Sequence, residues 1–252
     1  MAQALLRTEK LTKAFGALLA VNDVTLEVAA GTLHSIIGPN GAGKTTVFNL
    51  LTGQLERTSG RIVFDGRDIT GTPPSRIAHL GIARSFQRTN VFPALTLLEN
   101  VWAAAFARRD SWRGLCWRRT DRFADVRERA LRALADVGLR DRAHQPAREI
   151  SHGEQRQLEL AIALAANPRL LLLDEPAAGL SPEESRKMVA LVTSLKGRYT
   201  IVLIEHKMDI IMGVSDRITV MHFGSVIAEG TPAEIQRNEE VRRAYLGGMA
   251  AG

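Results

Sequence analysis

Gly38-Pro39-Asn40-Gly41-Ala42-Gly43-Lys44-Thr45 is the stretch on which the reading of this chain turns. It fills every fixed position of the pattern G-x-x-x-x-G-K-[ST], whose glycines let backbone N–H groups turn inward around phosphate oxygens. Residues 32–37 before it form a short apolar run of strand length, and Lys44–Leu51 after it carries helical spacing that stops at Gly53. Strand, glycine loop and helix start, in that order, make an anion cradle, because the helix dipole adds its positive end to the inward N–H groups. In such a cradle Lys44 supplies a point charge for the β- and γ-phosphates, Thr45 offers a hydroxyl to Mg²⁺, and Asn40, Gly41, Ala42, Gly43 and Thr46 complete the lining. The competing reading is a glycine-rich turn with a chance lysine, and the strand–loop–helix context counts against it.

A second pattern lies downstream. Leu170-Leu171-Leu172-Leu173-Asp174-Glu175 is an apolar strand that ends in two carboxylates. Beside a phosphate loop, Asp174 is a candidate ligand for Mg²⁺, and Glu175 is a candidate general base for an attacking water. Strand ends are also solvated, so two acids there could merely face water. His206 follows another apolar strand, residues 200–205, where a lone histidine is more often structural than catalytic.

Around these motifs the chain changes character. The first 35 residues alternate apolar and polar and predict antiparallel strands, and residues 60–64 predict a further strand turning at Asp65-Gly66. Residues 88–166, rich in Arg, Ala and Leu, predict a helical subdomain. Residues 170–173 and Thr200–Ile204 are strand-length apolar runs with helix Pro182–Leu195 between them. That alternation predicts a parallel sheet buried on both faces. Two short helices are expected from Thr231 onward. The division follows: core with β subdomain over 1–88 and 167–235, helical subdomain over 89–166, tail over 236–252.

Composition bounds the rest. The chain is 45% hydrophobic and 24% charged, a globular balance, and no window offers the roughly 20 apolar residues of a membrane span. The N-terminus lacks the pattern of a signal peptide, and the one cysteine, Cys116, excludes an internal disulfide framework. A cytoplasmic location is expected. The net charge of +6 favours an anionic partner without choosing among nucleotide, nucleic acid and lipid.

The order of motifs carries a resemblance. Phosphate loop, Gln87, Ile150-Ser151-His152-Gly153-Glu154-Gln155, the Asp174-Glu175 strand, Gly179-Leu180-Ser181 and His206 together resemble the ABC ATPase family over essentially the whole chain. The resemblance implies an α/β fold: a P-loop NTPase core with an antiparallel β subdomain and an inserted α-helical subdomain. It further implies that two such subunits pair head to tail around two ATP molecules. Ser151, Gly153 and Glu154 would then serve the nucleotide held by the partner's loop. Gln87 would sit near Mg²⁺ and report to a permease, His206 would contact the γ-phosphate, and Phe15 would stack on adenine, with core packing as the rival for Phe15. The signature departs from the family's commonest L-S-G-G-Q, since His152 stands where a glycine is usual.

Phe15-Gly16-Ala17-Leu18-Leu19-Ala20-Val21, Arg84-Ser85-Phe86-Gln87, Glu175-Pro176-Ala177-Ala178-Gly179-Leu180 and Arg243-Ala244-Tyr245-Leu246-Gly247 resemble the ATPases of hydrophobic and branched-chain amino acid importers. The implied partners are a second ABC ATPase, homo or hetero, transmembrane permease subunits and, indirectly, an extracytoplasmic solute-binding protein. The implied place is the inner face of the membrane, and no nucleic acid partner is expected. A soluble ABC ATPase of nucleic-acid or cofactor-assembly machinery is the alternative. Residues 108–122 mix Arg108, Arg109, Arg113, Arg118, Arg119 and Arg122 with Trp112 and Trp117. They could be a solvated loop, touch anionic headgroups or stack on bases.

Overall fold

The early alternation becomes a long hairpin, β1 (Ala4–Phe15) and β2 (Leu18–Ala29), in which Phe15 pairs with Leu18 across the turn. A computed structural model describes residues 4–85, 91–107 and 123–247. β1 also pairs antiparallel with β4 (Ser59–Phe64), and β5 (Arg67–Asp68) closes a four-stranded sheet ordered β2-β1-β4-β5.

A six-stranded sheet carries the apolar runs. Its order is β10-β9-β3-β8-β7-β6, with β3 (Leu33–Ile37), β6 (Ile82–Arg84), β7 (Leu170–Asp174), β8 (Thr200–Ile204), β9 (Arg217–His222) and β10 (Ser225–Gly230). Pairings from β9 through β6 are parallel, and β10 returns antiparallel to β9. Every residue of β3, β7 and β8 is buried. Successive residues point to opposite faces, so Leu171, Leu173, Ile201 and Leu203 join one apolar cluster while Leu170, Leu172, Val202 and Ile204 join another.

The second cluster takes in α1 (Lys44–Leu51), whose fully buried Phe48 fixes the helix under the hairpin. Truncating such a side chain costs about 3–5 kcal/mol. The first cluster holds α3 (Leu97–Ala107), α4 (Ala124–Asp136) and α5 (His152–Ala165), through Leu97, Val101, Val126, Ala130, Leu134, Leu158, Ala161 and Leu164 at three- and four-residue spacing. It also takes in α6 (Pro182–Leu195).

Several elements have no counterpart in the sequence reading: α2 (Pro74–Leu80), β6, α7 (Met208–Val214) and the β9–β10 hairpin. With three residues, β6 is too short to show a period, and its place comes from pairing with β7. The tail forms α8 (Pro232–Arg237) and α9 (Glu239–Gly247) as expected, α8 opening on a Thr231–Glu234 capping box. Among the described residues, no helix is long and apolar enough to cross a membrane.

Candidate nucleotide site

The phosphate loop joins β3 to α1 as its pattern demands. Gly43 caps α1 in the left-handed region at φ 96°, and a Cβ there would come within 2.3 Å of the Ala20 carbonyl oxygen, so only glycine fits. Lys44 folds back over the loop, and its Nζ donates to the carbonyls of Gly38 at 2.7 Å and Pro39 at 2.9 Å. Burial pushes the Lys44 pKa down, against the pull of the Glu175 and Asp174 carboxylates. A cleft of about 450 Å³ opens beside it, lined by residues 40–46, Glu175, Leu18, Leu19, Ala20 and Phe223.

Asp174 ends β7 with its side chain fully buried. Its Oδ2 accepts from Arg84 Nη2 at 2.8 Å, and Arg84 Nη1 donates to Asn49 Oδ1 on α1 at 2.5 Å. The other oxygen, Oδ1, is buried without a partner. Desolvation raises the Asp174 pKa, with Arg84 pulling the other way. An orphaned, desolvated carboxylate oxygen invites a cation. Among the described residues no cluster of three or more His, Cys, Asp or Glu builds a metal cage. The donor set therefore suits an ion that takes most of its oxygens from phosphate and water, as Mg²⁺ does.

Glu175 is the residue after the strand, and its backbone sits at φ 50°, a conformation that costs a non-glycine residue about 1–3 kcal/mol and concentrates at functional positions. Its N–H is tied to the Ile204 carbonyl at 2.9 Å, and its Oε1 lies 3.7 Å from His206 Nδ1. Glu205, buried, accepts from the backbone N–H of His206 at 3.1 Å and of Ala177 at 3.3 Å. One carboxylate thus ties the loop after Glu175 to the loop of His206.

The signature residues lie elsewhere. Ser151 caps α5, and His152 to Gln155 form the first turn of that helix. Ser151 Oγ accepts from the Glu154 N–H at 3.3 Å, and Glu154 Oε2 accepts from the Ser151 N–H at 2.8 Å. Arg142 pairs with the same Glu154 carboxylate. Glu184 on α6 packs against Gly153, where a Cβ would come within 2.6 Å of Glu184 Oε1. Ser151, Gly153, Glu154 and Glu184 line a separate cavity of about 280 Å³, which shares no lining residue with the phosphate cleft among the described residues.

The fold therefore brings Lys44, Thr45, Asp174, Glu175 and His206 together and holds Ser151, Gly153 and Glu154 apart from them. Phe15 stands half exposed beside Leu18, with Lys13 Nζ 5.0 Å from its ring centroid, and it does not line the cleft. Gln87 and the Arg/Trp stretch 108–122 fall outside the described residues. Sequence reasoning passed over Arg84, Glu184, Glu205 and Phe223. Arg84 lay within a quoted stretch and Glu205 directly before His206, but nothing local marked their partners.

A phosphate loop, a buried strand-end aspartate followed by a glutamate, a strand-end histidine and a capped motif opening α5 define an ATP-binding cassette. The chain belongs to the ABC transporter family, whose description matches residues 21–178, and it is an ATPase of that family. Residues 225–251 match a second family, described as branched-chain amino acid ATP-binding cassette transporter. The chain is 42% identical to the high-affinity branched-chain amino acid transport ATP-binding protein LivG of Salmonella typhimurium, over 98% of this chain and 99% of that one. It is 41% identical to the corresponding BraF of Pseudomonas aeruginosa, over 98% and 99%. The crystal structure of an ATP-binding cassette of an ABC transporter in its ADP conformation superposes with a TM-score of 0.86 at 32% identity, over 98% of this chain and 100% of that one.

Proposed function

We propose that this chain is the ATP-hydrolysing subunit of an importer for branched-chain or related amino acids or amides, working at the inner face of the membrane against permease subunits. The observation that carries the ATPase chemistry is one cleft lined by Lys44, Thr45 and Glu175, with Asp174 next to Glu175 at the strand end and His206 Nδ1 3.7 Å from the Glu175 carboxylate. The solute class rests on the likeness to LivG and BraF and on the match at residues 225–251.

The mechanism follows from the geometry. Loop N–H groups and the α1 dipole hold the β- and γ-phosphates, and Lys44, already desolvated, adds its charge without further dehydration. Thr45 and Asp174 would hold Mg²⁺, whose charge offsets that on the phosphate oxygens. Glu175 accepts a proton from the water that attacks the γ-phosphorus, as the bond from that phosphorus to the β,γ-bridging oxygen breaks and ADP leaves with the electron pair. His206, whose Nδ1 lies 3.7 Å from Glu175 Oε1, contacts the γ-phosphate and helps to orient that water. The separation of the signature cavity from the cleft supports a head-to-tail pair, in which Ser151 and Gly153 of one subunit reach the nucleotide of the other. Within that pair Glu154 acts through the cap it makes with Ser151, Gln87 near Mg²⁺ relays to the permease, and Phe15 stacks on the adenine.

Purification of the membrane complex, joined to uptake of radiolabelled leucine, isoleucine and valine, tests the reading. A copurifying permease, and uptake lost on Lys44→Ala, are expected. Recovery in the soluble fraction with bound nucleic acid or assembly factors would move the assignment to a soluble ABC ATPase, a reading that the net charge of +6 favours.

A further inference from the structure

His152 stands in the signature where a glycine is usual, and it is the first residue of α5. Its imidazole lies against a second glycine. Gly179 sits at φ 75°, and a Cβ placed there would stand 3.6 Å from His152 Nε2, an ordinary contact distance. Gly179 belongs to the chain that runs from Glu175 to α6. Before it, the Ala177 N–H donates to Glu205 at 3.3 Å and the Ala178 N–H to the Glu175 carbonyl at 3.0 Å. After it, Glu184 caps α6, accepting from the Ser181 N–H at 3.0 Å and from the Ser181 hydroxyl at 2.8 Å. Gly179 is the pliant residue between two fixed ends, since without a Cβ it has the widest choice of φ and ψ.

The contact is one half of a reciprocal arrangement. Helices α5 and α6 both open on capping boxes, Ser151 with Glu154 and Ser181 with Glu184. The first residue of α5, His152, reaches the turn before α6. The third residue of α6, Glu184, reaches back to Gly153, where a Cβ would come within 2.6 Å of its Oε1. Hydrogen bonds from Ser181 hold the Glu184 carboxyl below its ordinary range, and His152 pulls the same way. A glycine at 152 would leave the Glu184 half in place and remove the other.

We propose that His152 is a positioning residue: its imidazole braces Gly179, so that the turn 178–181 and the start of α5 are held as one body before two subunits meet. The proposal rests on the head-to-tail reading, in which Ser151 and Gly153 serve the other subunit's nucleotide. A turn ordered in advance spares pairing the entropy of ordering it. Each pair contains two copies of the brace, so its loss counts twice.

The test takes the purified full chain in a Glu175→Gln background and compares it with the same chain carrying His152→Gly or His152→Gln. His152 is exposed, so both variants keep the fold, checked by melting. Sedimentation with ATP reads pairing, and hydrogen exchange without nucleotide reads the turn. In His152→Gly, residues 178–181 exchange faster while residues 40–46 exchange as in the parent. Pairing weakens about fivefold per copy, roughly 25-fold for the pair. Glutamine, long enough to reach Gly179, restores both. Unchanged pairing in His152→Gly, with or without a faster turn, would overturn the proposal and leave the imidazole a solvated side chain. Failure of glutamine to restore pairing would overturn it too, assigning the loss to glycine's freedom in the first turn of α5. A parent that stays single with ATP would break the head-to-tail reading beneath it, and the proposal with it.

Discussion

The Arg84 guanidinium lies 2.8 Å from the Asp174 carboxylate, and both side chains are buried, 7% and 0% exposed. This pair bridges β6 and β7 and, through Asn49, reaches α1. Asp174 is thus held in place before any cation arrives, with Oδ2 engaged and Oδ1 left over.

Removing one partner strands the other charge. Arg84→Met should cost about 3–5 kcal/mol in urea unfolding. The double variant Arg84→Met with Asp174→Asn should cost clearly less than the sum of the two single changes, since no uncompensated charge remains. Additive costs would show that the pair is not coupled as its geometry implies.

The signature glycine is fixed from α6. Because Glu184 Oε1 occupies the space beside Gly153, Gly153→Ala displaces the Glu184 carboxylate from the cap it makes with Ser181 at the start of α6. It should lower the melting temperature and abolish ATP-dependent pairing, whereas Ser151→Ala should cost only about 1 kcal/mol of cap stability. Size-exclusion chromatography with ATP reads the pairing, and a Gly153→Ala protein that pairs normally would remove this constraint.

What could be read from sequence was chemistry with a fixed local spacing. The phosphate loop, the Asp174-Glu175 strand end and the Ser151–Glu154 cap each need particular residue types within a few positions, so each shows in one dimension. Arg84, Glu184 and Phe223 lie against residues that only the tertiary fold brings near: Arg84 against an aspartate 90 positions away, Phe223 on a cleft shared with residues 40–46. β6 escaped because three residues hold no period, and the positive φ of Phe223 leaves no mark in the residues beside it.

His34 makes the fold sensitive to mild acid. It is fully buried on β3, with Nε2 2.8 Å from Thr219 Oγ1 and Nδ1 unpartnered, and burial, helped by Arg217, lowers its pKa from 6.5 to about 4. Between those values the unfolded chain binds the proton and the folded chain does not, so stability falls as pH drops through 6.5 toward 4. From pH 7 to pH 5 the loss from this residue is about 2 kcal/mol. His34→Gln, which cannot titrate there, should show a correspondingly shallower decline in denaturant midpoint, and an equally steep decline would assign the effect to other groups.

We propose Glu175 as the base of an ATPase that works as a pair. ATP turnover by wild type and Glu175→Gln, measured beside their size in the presence of ATP, tests it most directly. Turnover in wild type, its loss in Glu175→Gln, and an ATP-bound dimer trapped by the variant are the expected results. Turnover by Glu175→Gln at the wild-type rate would contradict it.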